Sequence, residues 1–188
     1  MMPDSPRPRT PPPPLVIMGV AGCGKSSLAH ALGAALPCPV IEGDDFHSPH
    51  NKALMREGVA LTDADRAGWL AALGDEMHRH HNQAVLTCSA LKQRYRDQLR
   101  AAVPGLRFVF LDLDEATALA RVQARAGQHF FNPGLVHNQF ETLEPPTSEP
   151  GVLRLDATLP VDDLCAAVLG WLARDASFDP QPAKEGLL

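Results

Sequence analysis

Short, almost uninterrupted apolar runs alternate along this chain with longer stretches in which apolar residues return every three or four positions. The runs at residues 15–18, 39–42, 84–88, 106–111 and 152–156 have the character of strands covered on both faces, since a strand with one wet face would alternate apolar and polar residues. Helical periods at 25–36, 63–81, 93–103, 115–126 and 161–174 fall between them, and Thr62 is placed to cap the second, with Asp65 three residues further on. Strand and helix in alternation predict a five-stranded parallel sheet between crossover helices, an α/β domain of three layers. No internal repeat interrupts this order.

The pattern fails at both ends. Residues 3–14 are rich in proline, which lacks a backbone donor, so 1–14 is expected to be a disordered tail. Its Pro8-Arg9-Thr10-Pro11 stretch has the form of a P-x-x-P ligand, for which a plain extension is the simpler reading. A second flexible tail is expected at 175–188. The 188 residues thus hold one domain, about 15–174, and one active site.

Composition then excludes several classes. With 45% hydrophobic and 21% charged residues, no apolar run of membrane-spanning length and no apolar stretch near the start, the chain is expected in the cytoplasm without a membrane partner. A net charge of −5 provides no general cationic field for nucleic acid, so any anion must be held locally. Cys23, Cys38, Cys88 and Cys165 are scattered without a C-x-x-C pair, which argues against a zinc site and against a disulfide framework.

Local anion binding has a strong candidate. Residues 19–27 read GVAGCGKSS, a complete G-x-x-x-x-G-K-S match that follows a strand and opens a helix. Gly19, Gly22 and Gly24 let the backbone curl so that successive N–H groups, through Cys23 and on to Ser27, point at nucleotide phosphates. Lys25 reaches the β- and γ-phosphates, and Ser26 can place its hydroxyl on a Mg²⁺ ion that bridges them, so ATP with Mg²⁺ is expected. Cys23 is either a functional thiol or, more simply, a small side chain filling the loop. The motif leaves the acceptor open, because switches, motors and kinases share it.

The second strand ends in Glu42-Gly43-Asp44-Asp45-Phe46-His47, so acids emerge at the carboxyl edge of the sheet, where open α/β folds bind ligands. Asp44 is the first candidate to accept or orient an acceptor hydroxyl proton as the phosphoryl group departs; the alternative is a loop aspartate capping a turn. Asn51-Lys52 is not a guanine-reading element, since Leu54 stands where that element needs aspartate. Asp112, ending the fourth apolar run, is either a metal-organising acid or, more simply, a solvated one. His78, His80 and His81 crowd a helix end with Arg79 among them, which favours a solvated terminus over a metal site.

Four further segments arrive in order: EGDDFHSPHN (42–51), LTDADRAGWL (61–70), CSALKQRYRDQLR (88–100) and HFFNPGLVHNQFETLEPP (129–146). With the phosphate loop they resemble the gluconokinase family, small single-domain ATP-dependent kinases related in fold to shikimate and adenylate kinases. The resemblance covers about residues 15–174 and implies a three-layer P-loop NTPase fold of the nucleoside-monophosphate-kinase kind, with a lid at about 125–146. It implies phosphorylation of D-gluconate to 6-phosphogluconate at the terminal hydroxyl, by a homodimer.

Residue by residue, the resemblance gives Asp44 the acceptor hydroxyl and His47 a substrate-side contact. Arg66, Lys92 and Arg96 would face the sugar acid's carboxylate, arginine as a planar fork and lysine as a point charge. Arg121 and Arg125 stand four apart, hence on one helix face, and lead to the lid, where a cation steadies the transferring phosphoryl group. Lys25, Asp44 and Arg125 form the expected catalytic set, and His129 would meet substrate or phosphate. Two departures bear on lid closure and a helix start rather than on reaction class: Gln128 is an extra residue in RAGQHF (125–130), and Gly68 replaces a proline before Trp69. Another small-molecule kinase, shikimate-like or acting on a nucleotide, is the competing expectation, and a nucleotide-binding regulator without turnover is a third.

Overall fold

The structure is a computed structural model that describes residues 13–124 and 132–176. Arg125, Gln128 and His129 of the expected lid lie outside the described residues, as do most of the two expected tails. The chain runs β1 (Leu15–Met18), α1 (Lys25–Ala35), β2 (Val40–Glu42), a 3₁₀ turn (Gly43–Phe46), α2 (Pro49–Arg56), α3 (Asp63–Arg79), β3 (Val85–Thr87), α4 (Gln93–Ala102), β4 (Arg107–Asp112), α5 (Glu115–Ala124), α6 (Leu135–Thr142), β5 (Val152–Asp156) and α7 (Val161–Ala176). All five strands join one parallel sheet in the order β2-β3-β1-β4-β5, with Val16 level with Leu86 on one side and Phe108 on the other.

The continuous apolar runs have their reason in two cores, one on each face of the sheet. Along β1, Leu15 and Ile17 point to one core while Val16 and Met18 point to the other; along β4, Val109 and Leu111 part in the same way from Phe108 and Phe110. The first core is closed by Leu28, Ala29 and Leu32 of α1 and by Leu164, Val168 and Leu172 of α7. Trp69, Leu70, Leu73 and Met77 of α3, with Tyr95 and Leu99 of α4, close the second.

Helix ends follow local chemistry. The Thr62 side chain accepts from the Asp65 backbone N–H while Asp65 reaches back to Thr62, a complete capping box at the start of α3. That helix stops at Arg79, two residues before the expected end, because His81 and Asn82 take left-handed φ values of 54° and 57°. Gly68 lies inside the unbroken helix, so its loss of proline does not displace the start. Neither α2 nor α6 is anticipated by the periodicity: each has only eight residues, too short to show a face. The signals for α2 are Ser48, whose side chain accepts from Asn51 N–H, and Pro49 at the first turn.

Strand β1 lies at the middle of the sheet, and the chain builds β2 and β3 on one side before crossing to β4 on the other. Ligands of open parallel sheets bind where the strand order reverses in this way, beyond the carboxyl ends. Gly19, Glu42 and Ser89 emerge together there, and Gly19 N–H donates to the Ser89 carbonyl at 3.3 Å.

Candidate active site

The loop from Gly19 to Ser26 leaves β1 and enters α1 with Gly24, at φ 99°, as a cap that supplies no side-chain acceptor. No acid stands in the first turn of α1 either, so the N–H groups there and the positive end of the helix dipole face open space. Gly19 has no substitute: at φ 140°, an added Cβ would lie 2.7 Å from the Leu111 carbonyl oxygen and 2.9 Å from Cys23 Sγ. Cys23 is fully packed beneath the loop, and burial raises its thiol pKa, so it fills space as a neutral group. Lys25 folds back, donating from Nζ to the carbonyls of Gly19 (3.1 Å) and Val20 (3.0 Å).

Beside this loop, the end of β2 is built around Gly43. A Cβ there would meet the Thr87 carbonyl oxygen at 2.1 Å, which only glycine avoids. Gly43 N–H donates to Thr87 Oγ1 (3.1 Å), and its carbonyl accepts from the indole N–H of Trp69 (2.7 Å). The turn so fixed presents three side chains. Glu42 Oε2 accepts from Ser26 Oγ (2.9 Å) and Thr87 Oγ1 (2.8 Å), while its Oε1 is buried without a hydrogen-bond partner. Asp44 is largely exposed, with Oδ1 3.9 Å from His47 Nε2. His47 is buried and stacks on Trp69 with ring centroids 4.1 Å apart. Burial pulls its pKa down from 6.5 to about 4; Asp44 resists, and Lys52 and Arg66 reinforce the fall. His47 is therefore a neutral imidazole at physiological pH.

One cleft is lined by Lys25, Ser26, Asp44, His47, Arg66 and Gln139, so the phosphate loop and the acidic edge of β2 face a common space. Its far wall is apolar: Met55 and Leu61 pack against Leu135 of α6. Arg66 donates to the Leu61 carbonyl and lies over the Tyr95 ring, 5.6 Å from its centroid, at the edge of this space.

Other expected cations sit elsewhere. Arg96 does not face the cleft; it is 1% exposed and is engaged by Glu149 and by the carbonyls of Ala90, Leu91 and Glu144. The reason is packing: α4 turns this side chain inward, under the segment that follows α6. Lys92 pairs with Asp63 (3.2 Å) outside the cleft lining, where Tyr95 and Arg94 also converge on Asp63. Arg121 lies behind the phosphate loop, donating to the carbonyls of Ala157 (3.1 Å) and Gly22 (3.4 Å). Asp112, at the end of β4, pairs with Arg154 of β5 outside the cleft lining.

Among the described residues no group of three His, Cys, Asp or Glu side chains is arranged to hold a metal ion. A divalent cation here would draw most of its oxygens from nucleotide phosphate and water, as Mg²⁺ does. Ser26 Oγ fits as its protein ligand, and Glu42 Oε1 beside it, which makes no hydrogen bond and lies 3.6 Å from His30 Nδ1, fits as an acceptor for ion-bound water. Glu42, Thr87, Trp69 and Gln139 were not assigned roles from sequence. Trp69 and Gln139 do lie in the distinctive segments LTDADRAGWL and QFETLEPP, which is the signal that marked them.

Comparison with known proteins adds a second line of support. Residues 15–146 match a family described as an AAA domain. The thermoresistant gluconokinase of Escherichia coli (strain K12) is 39% identical over 158 residues, which cover 82% of this chain and 90% of that protein. A gluconokinase of Gluconobacter oxydans (strain 621H) is 43% identical over 144 residues, covering 75% and 80% respectively. Among solved structures, a gluconokinase from Sinorhizobium meliloti 1021 superposes with a TM-score of 0.78 at 43% identity, covering 90% of this chain and 96% of that one.

Proposed function

The chain belongs to the gluconokinase family, and from that premise we propose that its cleft transfers the γ-phosphoryl group of ATP to the terminal hydroxyl of D-gluconate, giving 6-phosphogluconate and ADP. The observation that carries the reading is the shared cleft: Lys25 and Ser26 of the phosphate loop and Asp44 at the end of β2 line the same space.

The triphosphate lies along the loop, against the uncapped N–H groups at the start of α1. Lys25 exchanges the carbonyls of Gly19 and Val20 for phosphate oxygens, a swap that its flexible stem permits. Ser26 would hold Mg²⁺ directly and Glu42 would hold it through ion-bound water, and the ion would supply charge neutralisation for the phosphates. Asp44 orients the acceptor hydroxyl and takes its proton as the new O–P bond forms and the bond to ADP breaks. Neutral His47 neither repels a cation nor competes with Asp44 for the proton, and it can donate or accept one hydrogen bond toward the sugar acid. Arg66, which lines the cleft beside Asp44 and His47, serves as a cation for the substrate carboxylate. Arg121 acts on the loop from behind, and Arg125 and His129 complete the reading as lid residues. The same reading includes a cytoplasmic homodimer; no helix among the described residues is long and apolar enough to cross a membrane.

A coupled assay of ADP release tests this with gluconate, shikimate, adenylylsulfate and nucleoside monophosphates as acceptors. Release should depend on gluconate. An equal response to all acceptors, or none to gluconate, rejects the substrate. Lys25→Ala and Asp44→Asn should retain the circular dichroism of the native chain while kcat falls by roughly 10²–10⁴-fold; native turnover by Asp44→Asn removes that residue from the mechanism.

A further inference from the structure

We propose that Gln139 is a catalytic residue of this site, gripping the phosphate loop with one end of its carboxamide and donating from the other to the phosphoryl group in transit. The proposal rests on the phosphoryl-transfer reading above and adds to it a residue from α6.

The placement begins with the helix itself. Leu135 is buried against Met55 and Leu61, and Val136 is buried in the core beside β1. One turn on, Gln139 falls on the same side of α6, which carries it to the cleft. There its Oε1 accepts from Ala21 N–H at 2.6 Å. Ala21 is the third residue of the phosphate loop and lines the cleft with Gln139, so the contact lies on the cleft side of the loop.

A carboxamide whose oxygen is engaged by an N–H presents its two other N–H groups elsewhere. Among the described residues, Nε2 of Gln139 makes no hydrogen bond, which leaves those donors for an oxygen in the cleft. The segment that follows this helix is tied down. Just past its end, Glu144 N–H donates to the Leu91 carbonyl (2.8 Å), the Glu144 carboxylate accepts from Gln93 N–H (2.7 Å), and Arg96 holds the Glu144 carbonyl (2.9 Å). A donor held in place before the reaction is most effective where charge develops, and in phosphoryl transfer that charge spreads over the equatorial oxygens of the moving group.

The competing role is a brace that merely shapes the loop, and two variants separate the two. Gln139→Ala removes both ends of the interaction. Gln139→Glu keeps an acceptor for Ala21 N–H but replaces the donor by an anion. If Gln139 donates to the transferring group, kcat falls by roughly ten- to hundredfold in Gln139→Ala and further in Gln139→Glu, with KM for gluconate changed less than about threefold. By calorimetry, affinity for a non-hydrolysable ATP analogue should drop about tenfold in both, while ADP, which lacks the γ-phosphate, binds nearly as before. Equal losses for the two nucleotides, a Gln139→Glu variant faster than Gln139→Ala, or native turnover in Gln139→Ala would each overturn the proposal. The nucleotide comparison needs no acceptor, so it decides the role of Gln139 even if gluconate proves to be the wrong substrate.

Discussion

At the scale of single residues, the most distinctive feature is a buried neutral histidine next to an exposed aspartate. His47 is held against Trp69, and its pKa of about 4 sets a pH dependence. The unfolded chain takes up this proton near pH 6.5, whereas the folded chain does so only near 4. Between those values the unfolded state binds more protons, so this contribution to stability is complete above about pH 6.5 and is lost as pH falls toward 4. Scanning calorimetry should show the unfolding midpoint of the native chain dropping between pH 7 and 5, and a shallower drop in His47→Asn. Equal slopes would assign the effect to other groups. The same scale shows how far side-chain chemistry can be read from a string. That Lys25, Ser26 and Asp44 line one cleft is legible, because a phosphate-loop motif and an acid at a strand end are placed by local spacing. The inward turn of Arg96 is not, because the resemblance that makes it look like a carboxylate ligand says nothing about which way α4 turns it.

Arg96 also belongs to the scale of elements, since it ties α4 to the loop after β3 and to the segment following α6. Burial alone would raise the Glu149 carboxyl, but hydrogen bonds from Arg96 and Arg100 hold it below the usual carboxylate range, so the pair is ionic at neutral pH. Removing one partner leaves a poorly solvated charge, which costs about 3–5 kcal/mol. Urea titration of Arg96→Met should show a loss of that order, and the double variant Arg96→Met with Glu149→Leu should recover part of it. Full additivity of the two single losses would mean that the partners do not interact. A further consequence concerns α6: because the Arg96 network fixes the chain beyond it, Arg96→Met should also slow turnover through Gln139. Short elements such as α6 and α2 leave little periodicity, and their positions are decided by these tertiary ties and by caps such as Ser48.

For the whole molecule, the sheet brings the phosphate loop and the acid edge together, so nucleotide binding should stabilise the domain as a unit. ADP with Mg²⁺ at about a hundred times its dissociation constant should add about 2.7 kcal/mol, or roughly 5–10 °C in the unfolding midpoint at this size. Differential scanning fluorimetry should find the shift in the native chain and not in Lys25→Ala; an equal shift in both would place the nucleotide elsewhere. The order of the five strands and of the five longer helices, the two-faced burial of the sheet and the phosphate loop were determined by the sequence alone, because apolar period and backbone-forming motifs act over a few neighbouring residues. Which distant groups meet was decided only in three dimensions. Gly43 seats against Thr87 and Trp69, Gln139 reaches Ala21 across 118 positions, and Arg96 turns inward rather than to the cleft. Those outcomes depend on how helices pack over a sheet, where a rotation of one helix face moves a side chain from solvent or substrate into the core.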